Sequence, residues 1–207
     1  MAQHRIKRVP DKPLQQMMIS GRSIVINDPH VNQIDRSDIA YALSRTARYA
    51  GNTIGEPYSV AQHSVEVMLT VRETHPNDVL LQLAALLHDA GEAPLVDVPY
   101  PVKISIDGFD ELEDSVMRCI ERKYMIPAGM TEDKAVKSAD WTTHQREVRD
   151  LLPSPLVLTP EQYWGYDPAK IEGPFIAPLT WKSARDLWLK EFNDLWTSYL
   201  ALRDCFV

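Results

Sequence analysis

The 15 prolines of this 207-residue chain fall between its periodically apolar segments and not inside them. Proline breaks the interior of a helix but is tolerated in loops, and only 8 glycines are present to loosen those loops. This distribution predicts helices that are separated by stiff loops. After residue 40 we find no convincing alternation of apolar and polar residues, the pattern of a strand. The predicted fold class is therefore all-α, a helical bundle with a proline-rich loop and a C-terminal helix.

Six segments have apolar residues at helical spacing, and some of them also carry a capping residue or a terminating glycine. One begins at the cap-like Asn77 and ends before Gly91, which favours helix termination. Ahead of these segments, residues 1–19 are expected to form a mobile arm and residues 20–34 a short extended pair or an irregular loop. The six predicted helices span residues 37–49, 59–72, 77–90, 109–124, 131–152 and about 180–206.

The last third of the chain combines a proline-rich stretch with a long helix. Six prolines lie between Pro153 and Pro178, so this stretch is predicted to be a loop on the domain surface. The helix that follows has a stripe of large apolar residues, which is typical of core packing and is also compatible with an oligomer interface. We therefore expect residues 153–207 to pack on the same domain as residues 20–152. The stripe consists of Trp181, Trp188, Phe192, Leu195, Tyr199 and Leu202.

Composition excludes several classes of protein. The longest strictly apolar run in the middle of the chain, residues 83–87, is far shorter than the roughly 20 residues of a membrane span. The net charge is −7, whereas proteins that bind nucleic-acid polymers usually present a basic surface. The basic N-terminus has no apolar segment after it and is not expected to be a secretory signal. Cys119 and Cys205 are too few for a disulfide framework, which favours a reducing cytoplasm.

Two histidines and two aspartates lie on the inward faces of the predicted helices. His63 lies on an apolar helix face, and His88 is followed at its helix end by Asp89. Asp140 comes one helical turn after Val136. A single histidine on an apolar face is usually an ordinary core residue, but buried carboxylates also require compensating charge. A divalent cation supplies that charge, and mixed nitrogen and oxygen ligands favour Mn, Fe, Co, Ni or Zn.

These four residues match the H…HD…D signature of the HD-domain metal-dependent phosphohydrolases. The segments YSVAQHS at 58–64, LLHDAGEAPLVDVPYPVK at 86–103 and KSADW at 137–141 resemble the branch that contains bacterial 5′-deoxynucleotidases and viral deoxyadenosine triphosphate hydrolases. The resemblance covers about residues 20–152. It implies an HD-domain helical bundle. It also implies cleavage of the 5′ phosphoester of (deoxy)nucleotides, from mono- to triphosphates, with release of nucleoside and phosphate.

The resemblance implies roles for the carboxylates. Glu92 matches an acid that acts on the attacking water or helps to hold a second ion. Asp97 matches a carboxylate near the scissile phosphoester, although its place before Val98 and Pro99 is also typical of a turn. The implied metal ligands are His63, His88, Asp89 and Asp140.

Cationic and aromatic residues are implied to bind the substrate. Arg48 matches an arginine that binds phosphate during catalysis, and Lys103 matches the lysine that closes the PVK segment; each also fits a surface salt bridge. Tyr49 stands where the deoxynucleotidases carry a tryptophan that crowds the sugar 2′ position, so 2′-deoxynucleotides are the expected substrates. Arg45, one predicted turn before Arg48, is a further candidate for β- or γ-phosphate contacts, as is Lys103.

Other HD-domain classes and a role without catalysis are the alternatives. Cyclic-nucleotide phosphodiesterases and mixed-valent iron oxygenases use additional histidines, but none lies between Asp89 and Asp140. A second divalent ion held by Glu92 and Asp97 stays open. A nucleotide-binding regulatory protein that retains the HD fold would be free to lose those two acids. The predicted partners are a nucleotide substrate and further copies of the chain, in the cytoplasm of a bacterium or of a virus-infected host, with no nucleic-acid polymer and no membrane.

Overall fold

A short antiparallel strand pair precedes the helices in the computed structural model, which describes residues 12–204. Strand β1 (Gln15–Met17) pairs with strand β2 (Ser23–Val25). The sequence places β1 in the predicted arm, whereas the structure pairs it with β2. A three-residue strand with exposed side chains carries no periodic signal, which is why the pattern missed it. Residues 1–11, the first part of the predicted arm, lie outside the described residues.

Helices make up most of the regular structure among the described residues, and the all-α prediction is confirmed. Single 3₁₀ turns lie between some of them, at Val31–Gln33, Arg48–Gly51, Met130–Glu132 and Pro168–Lys170. The helices are α1 (Arg36–Arg45), α2 (Val60–Thr74), α3 (Val79–Leu87), α4 (Glu92–Leu95), α5 (Tyr100–Lys103), α6 (Phe109–Lys123), α7 (Lys134–Leu151), α8 (Pro160–Trp164) and α9 (Trp181–Asp204).

Helix α1 ends earlier than its apolar pattern predicts. The pattern predicts a helix as far as Tyr49, but α1 ends at Arg45. The chain then pairs with the residues in front of α2, where the Arg48 N–H donates to the Tyr58 carbonyl oxygen. Tyr49 itself has a φ of 56°, in the left-handed region. This boundary was predicted wrongly because the pairing that ends the helix is tertiary and leaves no mark on the local sequence.

Helix α2 packs on α1, α3, α7 and α9, so it occupies the middle of the bundle. His63 lies on its buried face among apolar residues such as Val67. From α9, Trp188 and Phe192 are fully buried, and their rings stack with centroids 5.3 Å apart. Leu202, near the end of the same helix, is exposed. The middle of the predicted α9 stripe therefore packs in the core, and its last residue does not.

The proline-rich stretch, residues 153–178, lies against the second half of α7. Arg146 and Arg149 of α7 both donate to the Pro174 carbonyl oxygen. Ile176 is buried, and its N–H is bound by a carboxylate of the same helix. These contacts fix the end of the stretch to the bundle, while α8 and a 3₁₀ turn give it local structure.

Composition predicted neither a membrane span nor a disulfide framework. Within residues 12–204, the helices are all too short or too polar to cross a membrane. Cys119 is buried and unpaired, and Cys205 lies outside the described residues. Cys119 packs within the apolar core, as free cysteines commonly do.

Candidate metal centre

Two imidazoles face each other inside the bundle with free ligand atoms. His63 comes from α2 and is fully buried, and His88 caps the end of α3. The Nδ1 atom of His63 lies 2.6 Å from a carboxylate oxygen of Glu147, and that of His88 lies 2.8 Å from the Ala85 carbonyl oxygen. Because both partners accept hydrogen bonds, Nδ1 of each ring carries a proton. Both Nε2 atoms are buried and make no well-formed hydrogen bond within the described residues.

Two carboxylates approach these Nε2 atoms. Oδ2 of Asp89 lies 3.3 Å from Nε2 of His88 and 3.4 Å from that of His63. Oδ1 of Asp140, from α7, lies 3.1 Å from Nε2 of His63 and 3.9 Å from that of His88. The structure therefore brings the four predicted ligands together from two helices, α2 and α7, and from the two residues that follow α3.

The donor set fits a transition-metal ion. Ligand atoms about 2.1 Å from one ion lie roughly 3–4 Å from one another, which is the spacing found between these nitrogens and oxygens. Buried polar atoms in folded proteins are ordinarily paired, so two convergent unpaired Nε2 atoms require an explanation. The His63, His88 and Asp140 group could hold a metal ion, and Asp89 adds a fourth donor.

Metal binding at this centre should strengthen as the pH rises. Burial and Arg48 oppose protonation of His63, but the carboxylates of Glu147 and Asp140 outweigh them and raise its pKa to about 10. Burial also opposes the charge of His88, whose pKa is nevertheless raised by Asp89. An ion must displace these protons, so we expect the logarithm of the apparent affinity to rise by about one to two per pH unit across the neutral range. Titration against a competing chelator at several pH values measures this slope; a flat profile would contradict the assignment of the histidines as ligands.

Glu147 contacts His63 at Nδ1, the ring nitrogen that is not the candidate ligand atom. This residue was not identified from the sequence. Its side chain is fully buried, and both of its oxygens are engaged: one faces His63, and the other receives hydrogen bonds from Arg48 and Tyr49. Burial alone would raise the pKa of Glu147, but Arg48 and His63 hold it well below its ordinary value. Glu147 lies two helical turns after Asp140, so the available signal was its place on the same face of α7.

Arg48 lies in the centre and not on the protein surface. Its Nε donates to Oε2 of Glu147 at 3.2 Å, and its Nη1 lies 3.5 Å from Oδ2 of Asp89. Only 14% of its side chain is exposed. The guanidinium thus lies between the carboxylates of Glu147 and Asp89. This position excludes the alternative that Arg48 forms a surface salt bridge.

Glu92 and Asp97 form an acidic pair beside the ligand cluster. Oε2 of Glu92, at the start of α4, is buried and has no hydrogen-bond partner within the described residues. Burial, then the charges of Asp89 and Asp97, raise the pKa of Glu92 well above its ordinary value. Burial and Asp89 likewise raise the pKa of Asp97, against the opposing effect of Arg48. The charges of Asp89 and Asp97 therefore oppose the ionisation of Glu92, and pKa shifts of this kind are typical of sites that move protons.

Tyr49 is adjacent to Arg48, as predicted, but its hydroxyl is already occupied. It donates to Oε2 of Glu147 at 2.5 Å and lies 3.0 Å from Nδ1 of His144. Burial and Glu147 raise the pKa of this phenol, so it stays neutral. The hydroxyl cannot also donate to a ribose, which leaves the ring as the part of Tyr49 that is available for contact.

Arg45 and Lys103 are not brought into the ligand cluster. The guanidinium of Arg45 lies over the ring of Trp181 at 4.9 Å, in a separate cavity between α1 and α9. The prediction for Arg45 assumed that α1 continues to Arg48, but the helix ends first and the two arginines diverge. The ammonium of Lys103 forms an ion pair with Glu113, and that carboxylate raises the lysine pKa against the effect of burial.

Comparison with known proteins places the chain among bacterial relatives. No family model matches it. It is 36% identical over 141 residues to an uncharacterized protein of Rhodobacter capsulatus, an alignment that covers 66% of this chain and 72% of that protein. It is 31% identical over 180 residues to the uncharacterized protein YfdR of Escherichia coli, covering 85% of this chain and 92% of YfdR. The chain belongs to the family of these two proteins.

Neither relative has a stated activity. The chemistry of this chain is therefore inferred from its own residues. The centre has three distinct parts: the four candidate ligands, the acidic pair of Glu92 and Asp97, and the buried cation of Arg48. Together they can hold a cation, accept and release a proton, and bind an anion next to that cation.

Proposed function

We propose that the protein is a metal-dependent phosphohydrolase that cleaves the 5′ phosphoester of nucleotides and releases nucleoside and phosphate. The pair of buried Nε2 atoms without hydrogen bonds is the observation that supports this proposal most strongly. Around them lie acids suited to proton transfer and an arginine suited to phosphate. Phosphoryl transfer depends chiefly on positioning and charge, and this combination supplies both.

His63, His88, Asp89 and Asp140 would hold the ion. A bound divalent cation would neutralise charge on a phosphoryl oxygen and make water more acidic. Arg48 offers a planar fork of donors to the phosphate, because only its Nε and Nη1 face carboxylates within the described residues. Its burial excludes water from that contact, which strengthens the attraction.

The acidic pair would move the protons of the hydrolysis. Water attacks phosphorus: a new oxygen–phosphorus bond forms and the bond from phosphorus to the 5′ oxygen breaks. Glu92 accepts a proton from the attacking water, and Asp97 delivers one to the departing 5′ oxygen. Because Asp97 raises the pKa of Glu92, and Asp89 raises the pKa of both acids, one can be ionised while its neighbour keeps a proton. A second divalent ion between the two acids is the alternative use of the same carboxylates.

The ring of Tyr49 would contact the sugar. A ring at C2′ leaves no room for a hydroxyl, whose burial without a partner costs about 1–3 kcal/mol, or roughly tenfold in selectivity. Since its own hydroxyl is bound to Glu147, Tyr49 does not offer a ribose a compensating donor. We therefore propose 2′-deoxynucleotides as the preferred class.

Phosphate release from a nucleotide panel tests this function. Ribo- and deoxynucleotides at each phosphorylation level are incubated with the protein and Co, Mn, Zn or Mg. We expect transition metals to support the release of phosphate. Exhaustive chelation should reduce phosphate release to the level of the blank, because it removes the ion from its four ligands.

A matched pair of histidine variants serves as the control. His88→Ala should behave like the chelated protein, whereas His75→Ala, which removes an exposed histidine after α2, should retain activity. Phosphate release that persists after chelation would refute the metal-dependent function. Tight nucleotide binding with no release under any metal would instead support a regulatory protein that retains the fold.

A further inference from the structure

A row of four aromatic rings borders the candidate metal centre. Trp141, the residue after the ligand Asp140, stacks on His144 with centroids 5.4 Å apart. His144 lies next to Tyr49, with centroids 6.1 Å apart, and Tyr166 of the proline-rich stretch meets Trp141 edge-on at 6.0 Å. We call Tyr49, His144, Trp141 and Tyr166 the aromatic row.

One end of the aromatic row is fixed to the centre. The Tyr49 hydroxyl binds both Glu147 and His144, and Glu147 in turn faces His63. The row therefore starts at the carboxylate that supports a candidate ligand. It continues through His144 to Trp141, and both of these residues belong to α7.

The indole of Trp141 is 53% exposed, although its neighbours in the row are partly buried. By contrast, Trp188 of α9 is fully buried in the core. An exposed tryptophan adds little to core packing, and tryptophan is enriched at binding interfaces because its ring is apolar and its N–H is polar. The hydroxyl of Tyr166 is buried without a hydrogen-bond partner in the described residues, so packing alone holds that ring beneath Trp141.

We propose that Trp141 is the surface on which the purine or pyrimidine base of the substrate stacks. This inference rests on the proposed function, and it adds that the substrate is recognised through a planar base as well as through its phosphate. In a 5′-nucleotide, one sugar separates the phosphate from the base. The aromatic row runs from Tyr49, which lies beside Arg48, to Trp141 in ring-to-ring steps of 6.1 Å and 5.4 Å. Stacking on an indole accepts every base, so the contact selects for a base without choosing among bases.

Comparing nucleotides with a substrate that has no base isolates the contribution of base stacking to kcat/KM. In the metal-loaded protein, kcat/KM is measured for deoxynucleoside 5′-monophosphates and for 2-deoxyribose 5-phosphate, which has the same phosphoester. We expect Trp141→Ala to lower kcat/KM for the nucleotides by about tenfold or more, mostly through KM, and to leave 2-deoxyribose 5-phosphate unchanged. Trp141→Phe should restore most of the loss. Phe175→Ala, which removes another exposed ring, is the matched control and should change neither substrate.

Equilibrium binding of deoxynucleosides gives a second measurement that needs no turnover. Affinity for the nucleosides should fall in Trp141→Ala and be retained in Trp141→Phe. If the unmodified protein hydrolyses no substrate, the proposed function fails, and nucleoside binding alone then decides whether Trp141 holds a base. Equal losses on the nucleotide and on 2-deoxyribose 5-phosphate would assign Trp141 to support of Asp140 and overturn the inference. Unchanged nucleotide kinetics and nucleoside affinity would also overturn it.

Discussion

We expect Glu92→Gln to lower kcat for the proposed phosphate release by about 10²- to 10⁴-fold, and the protein should still bind its metal ion. The amide has nearly the same shape as the carboxyl group, but it cannot accept a proton from water. In the metal-free protein the raised pKa of Glu92 already favours the neutral acid, so the neutral amide should be accommodated without loss of stability. Steady-state kinetics, metal analysis and thermal unfolding of the same preparation separate these effects.

Glu191→Gln is the matched control, because it neutralises another buried carboxylate that is bound to Arg72 far from the ligands. It should leave kcat unchanged. If Glu92→Gln loses its metal together with its activity, Glu92 belongs to the metal ligands. If it keeps full turnover, another group accepts the proton.

We expect Glu147→Gln to weaken metal binding by about 10- to 100-fold. The carboxylate fixes the ring of His63 through Nδ1 at 2.6 Å and makes Nε2 a stronger donor. It also balances the charge of Arg48. Because the same change lowers the pKa of His63, weaker competition by protons offsets part of the loss at neutral pH. Titrations with a competing chelator at alkaline pH therefore report the loss in full.

Tyr49→Phe distinguishes the effect of the charge of Glu147 on metal affinity from the effect of the hydrogen bond that Glu147 accepts from Tyr49. This variant removes one donor to Glu147 and leaves the carboxylate and His63 in place. Its metal affinity should stay near that of the unmodified protein. An unchanged affinity in Glu147→Gln would show that His63 is oriented by the packing of α2 alone.

The four ligands could be predicted from the sequence because the pattern that identifies them is local. His63, His88 and Asp140 each stand at helical spacing from apolar neighbours, so the helical pattern already predicts that His63 and Asp140 face inward. The core part of the α9 stripe follows from the same rule, since Trp188 and Phe192 are buried.

What sequence reasoning missed depends on contacts between distant segments. The burial of Glu147 is accounted for by its pairing with His63, Arg48 and Tyr49, and Arg48 lies 99 positions away in the sequence. Arg45 was assigned to the site because a continued helix would align it with Arg48. Because backbone pairing ends α1 at Arg45, the two side chains diverge: Arg45 lies over Trp181, and Arg48 bonds to Glu147.

The turn at Arg48–Gly51 is a strained segment that carries two side chains of the centre. Tyr49 and Ala50 both have left-handed backbone angles, with φ of 56° and 50°, and each non-glycine residue in that region costs on the order of 1–2 kcal/mol. The contacts of Arg48 and Tyr49 with Glu147 oppose this strain. Because the guanidinium and the phenol are carried by adjacent residues of this turn, a local unfolding of the turn would remove both from the centre together. The groups proposed to bind phosphate and sugar are therefore gained or lost as one cooperative unit.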